Sequence, residues 1–506
     1  MTVTLRIASA IMSRLRDYHL TAGKNVEALS YIWAQAYAPK ENQMTIVIPH
    51  NAPLFLFAQD CFVRQSSSSV QLRSDVLNGL LVEFAASHFN CLINIHDHWF
   101  SKNARFSQID DHDDDLFDRY LRESFEPMLE KHPHIGQARR IFNLSIVMGQ
   151  KKIDARLVDT QHNPRFKKVG SIDILGEHFE RYFVGKAKTP TFDSGVFDRQ
   201  HDFIFPDKQA LLADLQVALV GCGGLGSILA ESLGRVGFRR FSLIDDDVIN
   251  ISNLNRWQGG GPESLGKMKA FYLADRMQKL FSHLDVEVKA INQSLYSGDA
   301  ENAIKSSDLI IAGVDNDEAR YYLNRAALQY SLPYFDAGVS VTGTGNTTDF
   351  HVRYFAILPG TTACMECTKF NLFDREKTLE AFLDDATAQS RRMAGYVMDQ
   401  PMITTPSVYA INQRGASQLV LELLNYLCNW RPTARIISES WKLGHFQRCD
   451  SNNFPETSDQ ECPVCSYYAG AVDTEPLPKP RAFQHKLYVS NHDPLTKKKE
   501  VCNGKI

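Results

Sequence analysis

The chain has 506 residues, with 55 Lys and Arg against 59 Asp and Glu for a net charge of −4, a balance that argues against a general nucleic-acid binder. That length suggests about three domains. No apolar run reaches the roughly 18 residues needed to cross a bilayer, so a soluble, cytoplasmic protein without nucleic-acid or membrane partners is expected.

The N-terminal stretch Met1 to Leu20 reads as an amphipathic helix, centred on Ile7 to Tyr18. A second helix is expected near Glu27, then a strand (Met44 to Pro49), a helix (Ser74 to Ser87), a strand (Cys91 to His96) and a helix (Asp114 to Lys131). Ile141 to Met148 and Ile153 to Val158 read as a strand pair around Gly149 to Lys152, and Ile172 to Leu175 as a further short strand. The pattern predicts an α+β domain over residues 1–190, with linker composition in Lys186 to Ser194.

The chemical centre of this domain is His96-Asp97-His98, followed by Ser107-Gln108-Ile109-Asp110. Histidines at i and i+2 on an extended segment share one face, and a carboxylate downstream can complete a three-ligand site that leaves a position open for water. A surface or hydrogen-bonded His-x-His pair is the plainer alternative. The acidic run Asp110 to Asp115 reads as a solvated helix start, with Asp110 alone taken as a ligand.

H-x-H with a downstream S-x-x-D and an upstream glutamate resembles the JAMM (JAB/MPN) metalloprotease signature. That resemblance implies a helix-flanked sheet, a catalytic zinc on His96, His98 and Asp110, an oxyanion donor in Ser107, and a general base in Glu27. The implied activity is cleavage of isopeptide or peptide bonds after ubiquitin-like proteins. The chain departs from the signature at Trp99, where proline usually follows, and in a gap to Ser107 that is longer by one residue than the signature's.

Val217 to Val220 is a strand-length apolar run, and Gly221, Gly223, Gly224 and Gly226 follow it, in G-x-G-x-x-G spacing, before a helical pattern opening at Ser227. Glycines there let the backbone turn tightly and approach a phosphate, and the helix N-terminus supplies free N–H groups. A second strand, Phe241 to Ile244, ends in Asp245, placed to accept hydrogen bonds from ribose hydroxyls. Beyond it come Asp247, Ser252-Asn253-Leu254-Asn255-Arg256 and Gly266-Lys267-Met268-Lys269. A hydride-transfer enzyme has no need of these cations, whereas attack by a carboxylate on the α-phosphate of ATP builds negative charge that Arg, Lys and Mg²⁺ stabilise. A helix to about Phe281, a strand at Val286 to Ile291 and a buried strand at Asp308 to Val314 complete the pattern, the last with Asp315 and Asn316 at its carboxyl end. Arg320, one turn into the next helix, reads as a surface salt-bridge residue.

Asp245-x-Asp247, Asn253-x-x-Arg256, Lys269 and Asp315-Asn316, in that order, resemble the adenylation domain shared by ThiF, MoeB and the ubiquitin-activating enzymes. The resemblance implies a Rossmann-like domain over residues 191–475 that binds ATP and Mg²⁺, with Asp315 on the Mg²⁺. It also aligns Arg199 with an arginine that reaches the partner subunit's ATP site, which implies a homodimer; taken alone, Arg199 is an ordinary surface residue.

Cys364-Met365-Glu366-Cys367 and Cys462-Pro463-Val464-Cys465 supply four thiolates, the ligand set of a closed structural zinc site. Ser407 to Trp430 between them reads as a long helix, with Cys428 in the core. Ubiquitin-activating enzymes carry a thioester-forming cysteine in this crossover, yet Thr368 to Leu427 contains none. Cys449 is the weaker candidate for that role, and the adenylate is expected to pass to an external nucleophile such as a conjugating-enzyme-like acceptor. Residues 476–506 form a Pro- and Lys-rich tail.

The two resemblances together imply ATP-dependent activation of a ubiquitin-like protein, combined with zinc-dependent trimming or deconjugation of it, as in bacterial ubiquitin-like conjugation systems, some of which serve antiphage defence. Activation of a sulfur-carrier protein for cofactor or small-molecule biosynthesis is the second expectation. An NAD-dependent oxidoreductase and a non-catalytic scaffold are the rivals from other classes.

Overall fold

In a computed structural model, the chain is described over residues 1–21, 26–66, 69–98, 104–184, 195–343, 348–368, 375–393, 406–442, 445–450 and 462–484. The linker expected at Lys186 to Ser194, Trp99, and the tail beyond Gln484 lie outside these residues. Two sheets dominate, one in each half of the chain, with helices on both faces of each.

The first sheet is ten-stranded and mixed. Its centre pairs Cys91–Asp97 antiparallel with Leu29–Lys40 on one side and parallel with Phe142–Met148 on the other. Alternation along Leu29–Lys40 divides the core: Ile32, Ala34 and Ala36 face the helix Ser9–Thr21, while Tyr31 and Trp33 face the helices of 74–86 and 108–131. Two expectations fail here. Thr2–Ala8 is a strand rather than the start of an amphipathic helix, because this stretch rich in β-branched residues pairs on both sides, with Gln43–Ile48 and Ser171–Leu175. Among the described residues no helix begins near Glu27 either; that residue leads into the long strand Leu29–Lys40.

The second sheet is eight-stranded. Five parallel strands run in the order Glu287–Ile291, Arg240–Ile244, Gln216–Val220, Leu309–Ala312, Tyr334–Thr342, and three antiparallel strands extend the last of them. The chain winds outward from Gln216–Val220 in one direction and then the other. The switch point therefore lies at the carboxyl ends of Gln216–Val220 and Leu309–Ala312, the place where ligands bind in such sheets. The helix Tyr409–Cys428, close to the extent expected, packs on Gly224–Val236, and Cys428 is half-buried against the same core.

Charged groups buried between the sheets join the two halves. Arg181 is bound to Asp173 on its own sheet at 2.7 Å and to Asp214 and Asp308 of the second half at 2.9 and 2.7 Å. Arg6 donates to the carbonyls of Ser307 and Tyr330 at 2.6 and 3.0 Å. Removing one member of such a buried set strands the others without water. Arg181→Met is therefore expected to destabilise the chain by about 3–5 kcal/mol, read as a lower thermal midpoint in circular dichroism; an unchanged midpoint would mean that the network contributes nothing.

The segment expected to be tail starts later than residue 476. Leu477 is buried, and Phe483 packs on Tyr296 with ring centroids 5.7 Å apart.

Candidate functional site

The strand Gln216–Val220 ends in the glycine turn, where Gly221 takes a φ of +85°. A Cβ at Gly226 would lie 1.8 Å from the Gly221 carbonyl oxygen, so only glycine fits where the helix Gly224–Val236 closes on the turn. Among the described residues, nothing stands within 4 Å of the Cβ position at Gly223. Asp245, on the adjacent strand end, braces this turn: its carboxylate accepts from the Cys222 N–H at 2.7 Å and from the Asp247 N–H at 2.9 Å. Burial raises the Asp245 carboxyl above its ordinary range, and the Lys269 charge opposes that shift.

The expected cations gather around the same turn. Lys269 opens the helix Lys269–Leu280, and its Nζ lies 2.6 Å from Asp247 Oδ2. Arg256 Nη1 donates to the Ser252 carbonyl at 2.5 Å, and its side-chain carbons lie against Gly224. Asn253 holds the short helical turn before it by accepting from Asn250 N–H at 3.0 Å. Asp315 is exposed at the end of Leu309–Ala312, next in the sheet to the glycine strand, and Asn316 caps the following helix through the Ala319 N–H at 2.8 Å. The structure thus gathers Gly221, Gly223, Gly224, Gly226, Asp245, Asp247, Arg256, Lys269 and Asp315 around three neighbouring strand ends. Arg199 is exposed on the short turn Asp198–Gln200.

Arg320 differs from expectation. It is buried, donating to Asp336 at 3.1 Å, Asp317 at 2.9 Å and the Val314 carbonyl at 2.5 Å, so it fixes the chain leading into Asp315. The sequence reading also passed over two residues at the glycine loop: Trp257, whose Nε1 donates to the Cys222 carbonyl at 2.7 Å, and buried Asn412, which reaches Gly224. Trp257 directly follows the singled-out Arg256; nothing local marks Asn412. Cys222 is fully buried and its thiol is pushed well above its ordinary range, first by burial and then by Asp245, which leaves it no nucleophilic role.

The first sheet carries a second cluster. His96 and His98 project from the end of Cys91–Asp97 with ring centroids 5.0 Å apart. Asp110 approaches from the first turn of a helix that begins at Gln108, earlier than expected, because Ser107 caps it: Ser107 Oγ accepts from Asp110 N–H at 3.2 Å, while Asp110 Oδ2 accepts from Ser107 N–H at 2.5 Å. The S-x-x-D spacing is thus a capping box that also aims Asp110 at the histidines. Asp110 Oδ1 stands 3.2 Å from His96 Nε2 and Asp110 Oδ2 3.8 Å from His98 Nε2.

The acidic run starts a helix as expected, with Asp113 exposed, but Asp114 is buried rather than solvated. Asp114 and Asp111 bind Arg156, which is stacked between Phe106 and Phe166 at 3.8 and 4.1 Å. This holds the helix start, and with it Asp110, against the sheet.

Glu27, 6% exposed, places Oε1 3.7 Å from His98 Nε2. Burial raises its carboxyl to about 7, with His96 opposing and Asp110 and Asp97 adding to the shift. Three ligand atoms of His96, His98 and Asp110 lie within 4.8 Å of one another, and among the described residues the buried His96 Nε2 faces only the Asp110 carboxylate, 3.2 Å away. Two imidazole nitrogens and a carboxylate converging in this way are a donor set that fits a zinc ion.

Cys364, Cys367, Cys462 and Cys465 converge as expected, all four sulfurs within 4.8 Å of one another. Their separations include 3.8, 3.8 and 3.0 Å. Four thiolates at about 2.3 Å from one zinc stand about 3.8 Å apart, so the cluster fits the ion. The side chain of Cys449 is outside the described residues.

A family model described as "ThiF family" matches residues 197–464. Among curated proteins, the chain is 27% identical over 313 residues to "Ubiquitin-like modifier-activating enzyme 5" of Caenorhabditis briggsae, covering 59% of this chain and 66% of that protein. It is 34% identical over 258 residues to the protein of the same name from Aedes aegypti, covering 49% and 59%. The chain spans 59–66% of the length of these relatives. Among solved structures, "Crystal structure of E. coli MccB + MccA-N7isoASN" aligns with a TM-score of 0.43 at 17% identity, covering 56% of this chain and 77% of that one.

Proposed function

This chain belongs to the ThiF family, and from that membership we infer that it uses ATP to adenylate the C-terminal carboxylate of a ubiquitin-like or related carrier protein. The observation that carries this reading is the grouping of Lys269, Arg256 and Asp245 around the glycine turn at a topological switch point. In the proposed reaction the carrier's carboxylate oxygen attacks the α-phosphorus, the bond to the bridging oxygen breaks, and pyrophosphate leaves. Lys269 and Arg256 offset the charge that develops on the phosphate oxygens. Asp245 holds the ribose end, and Asp315 is the carboxylate for Mg²⁺. The relatives named for ubiquitin-like modifier activation support this substrate class.

With no cysteine between Thr368 and Leu427, the adenylate passes to a nucleophile outside the crossover: a thiol or amine of an acceptor protein, or a sulfur donor. A sulfur-carrier partner therefore stands beside a ubiquitin-like one. The assay is ATP–pyrophosphate exchange by the full chain against panels of both. Exchange with a carrier supports adenylation and names the partner class; tight NAD(H) binding without exchange overturns it.

The N-terminal half adds a proposed zinc hydrolase acting after the same carrier, with His96, His98 and Asp110 as ligands. Zinc there would supply a Lewis acid for the scissile carbonyl and lower the pKa of the attacking water. Glu27 takes the proton of that water and hands it to the leaving amine. The geometry of the three ligands with Glu27 supports this reading.

A further inference from the structure

The residue between the two histidines points the other way. Asp97 turns to the opposite face of the sheet, where it is 1% exposed and its Oδ2 meets two donors: His19 Nδ1 at 2.8 Å and the backbone N–H of Ala28 at 3.0 Å. With Nδ1 of His19 directed at Asp97, the other ring nitrogen, Nε2, lies 3.0 Å from Ser30 Oγ. His19 and Ser30 are equally buried. Ala28 follows Glu27 directly. The Glu27 backbone is held on its other side by Ser66, whose carbonyl accepts the Glu27 N–H at 2.8 Å, and by Gln65, whose amide donates to the Glu27 carbonyl at 3.0 Å.

From this juxtaposition we propose that Asp97 is a positioning residue: through Ala28 it ties the segment carrying Glu27 to the dipeptide step that carries both histidines, and so sets the distance between base and metal ligands. The inference rests on the zinc hydrolase reading above. One strand thus delivers His96 and His98 to one face and, from the residue between them, the anchor of Glu27 to the other. A charge-assisted bond to a backbone N–H is strong and short, so the Glu27 carboxylate keeps its place beside His98 without a direct bond to it. His19, brought from the helix Ser9–Thr21, orients Asp97 as an outer partner orients a ligand carboxylate.

The test uses the zinc-loaded full chain with acetohydroxamate as the probe, since chelation of a hydroxamate releases a proton that a neighbouring carboxylate accepts. Asp97→Ala and Glu27→Gln are each expected to weaken acetohydroxamate binding about 10- to 100-fold while keeping wild-type zinc content. Asp97→Asn can place its amide oxygen where Oδ2 stands and accept from both the Ala28 N–H and His19 Nδ1, so it is expected to bind within about threefold of wild type. Should Asp97→Ala not fold, Asp97→Ser, too short to reach both donors, takes its place with the same expectation. Wild-type affinity in Asp97→Ala, or loss of the second zinc equivalent, overturns the positioning role. A wild type that holds only the zinc of the four cysteines instead overturns the hydrolase reading itself, and with it this inference.

Discussion

Replacing Lys269 with alanine is expected to lower carrier-dependent ATP–pyrophosphate exchange by about 10²- to 10³-fold, the usual loss when one fixed donor to a developing phosphate charge is removed. Its stability cost is expected to be small. Lys269 pairs with Asp247, a carboxylate whose side chain is 69% exposed, and pairs of that kind contribute about 0–1 kcal/mol. The two readouts therefore separate: exchange collapses while the thermal midpoint stays near wild type. Lys269 also opposes the burial that raises the Asp245 carboxyl. With Lys269 gone, Asp245 moves further up, and its ionised form, which braces Cys222 and Asp247, gives way at a higher pH. Any residual exchange in Lys269→Ala should accordingly fall off at higher pH than in wild type as acid is added. Exchange at the wild-type rate would remove Lys269 from the site.

What could be read from sequence follows from how local each signal is. The glycine turn, Asp245 and Lys269 were legible because strand, turn and helix are contiguous there and each residue type answers a phosphate. The two C-x-x-C pairs were legible because thiolates at that spacing have few other uses. The errors came where tertiary pairing outweighed local pattern. Thr2–Ala8 alternates weakly next to a strongly helical stretch, and only its two flanking strands make it a strand. The acidic run looked solvated because Arg156, which pairs with Asp111 and Asp114, lies more than 40 residues further on. Arg320 looked like a surface residue for the same reason: Asp336 reaches it from the next strand.

The arrangement of the halves bears on how the proposed sites coexist. Asp214 and Asp308, which hold Arg181, stand just before the strands Gln216–Val220 and Leu309–Ala312, whereas the glycine turn leaves the opposite end of the same strands. On the first sheet, Leu29 is the register partner of His96, and Tyr37, whose hydroxyl donates to the Lys305 carbonyl, lies roughly 25 Å further along that strand. The interface thus occupies the end of each sheet remote from its candidate site.

Loss of the cysteine cluster is expected to be felt at this interface. In Cys465→Ser, zinc per chain should fall by one equivalent, and the thermal midpoint should drop by more than in Arg181→Met, because structural zinc binding is worth about 10–16 kcal/mol in apparent terms and much of it is coupled to folding. The segment that Cys465 starts touches the first half and braces the residues of the second half that contact it. The Ser466 carbonyl accepts from Asn51 of the first half at 3.0 Å, the Gly470 N–H donates to the Leu328 carbonyl at 3.0 Å, and Asp473 binds Lys305 at 2.7 Å and the Tyr330 hydroxyl at 2.8 Å. Lys305 and Tyr330 also present the carbonyls that receive Tyr37 and Arg6. Releasing the segment therefore removes one wall of the contact that Arg6 and Tyr37 make. Limited proteolysis of Cys465→Ser should cut first near residues 462–484, and chelator treatment of wild type should reproduce both the cut and the lowered midpoint. Full zinc content with an unchanged digestion pattern would mean that the four thiolates hold no metal and that the interface stands without them.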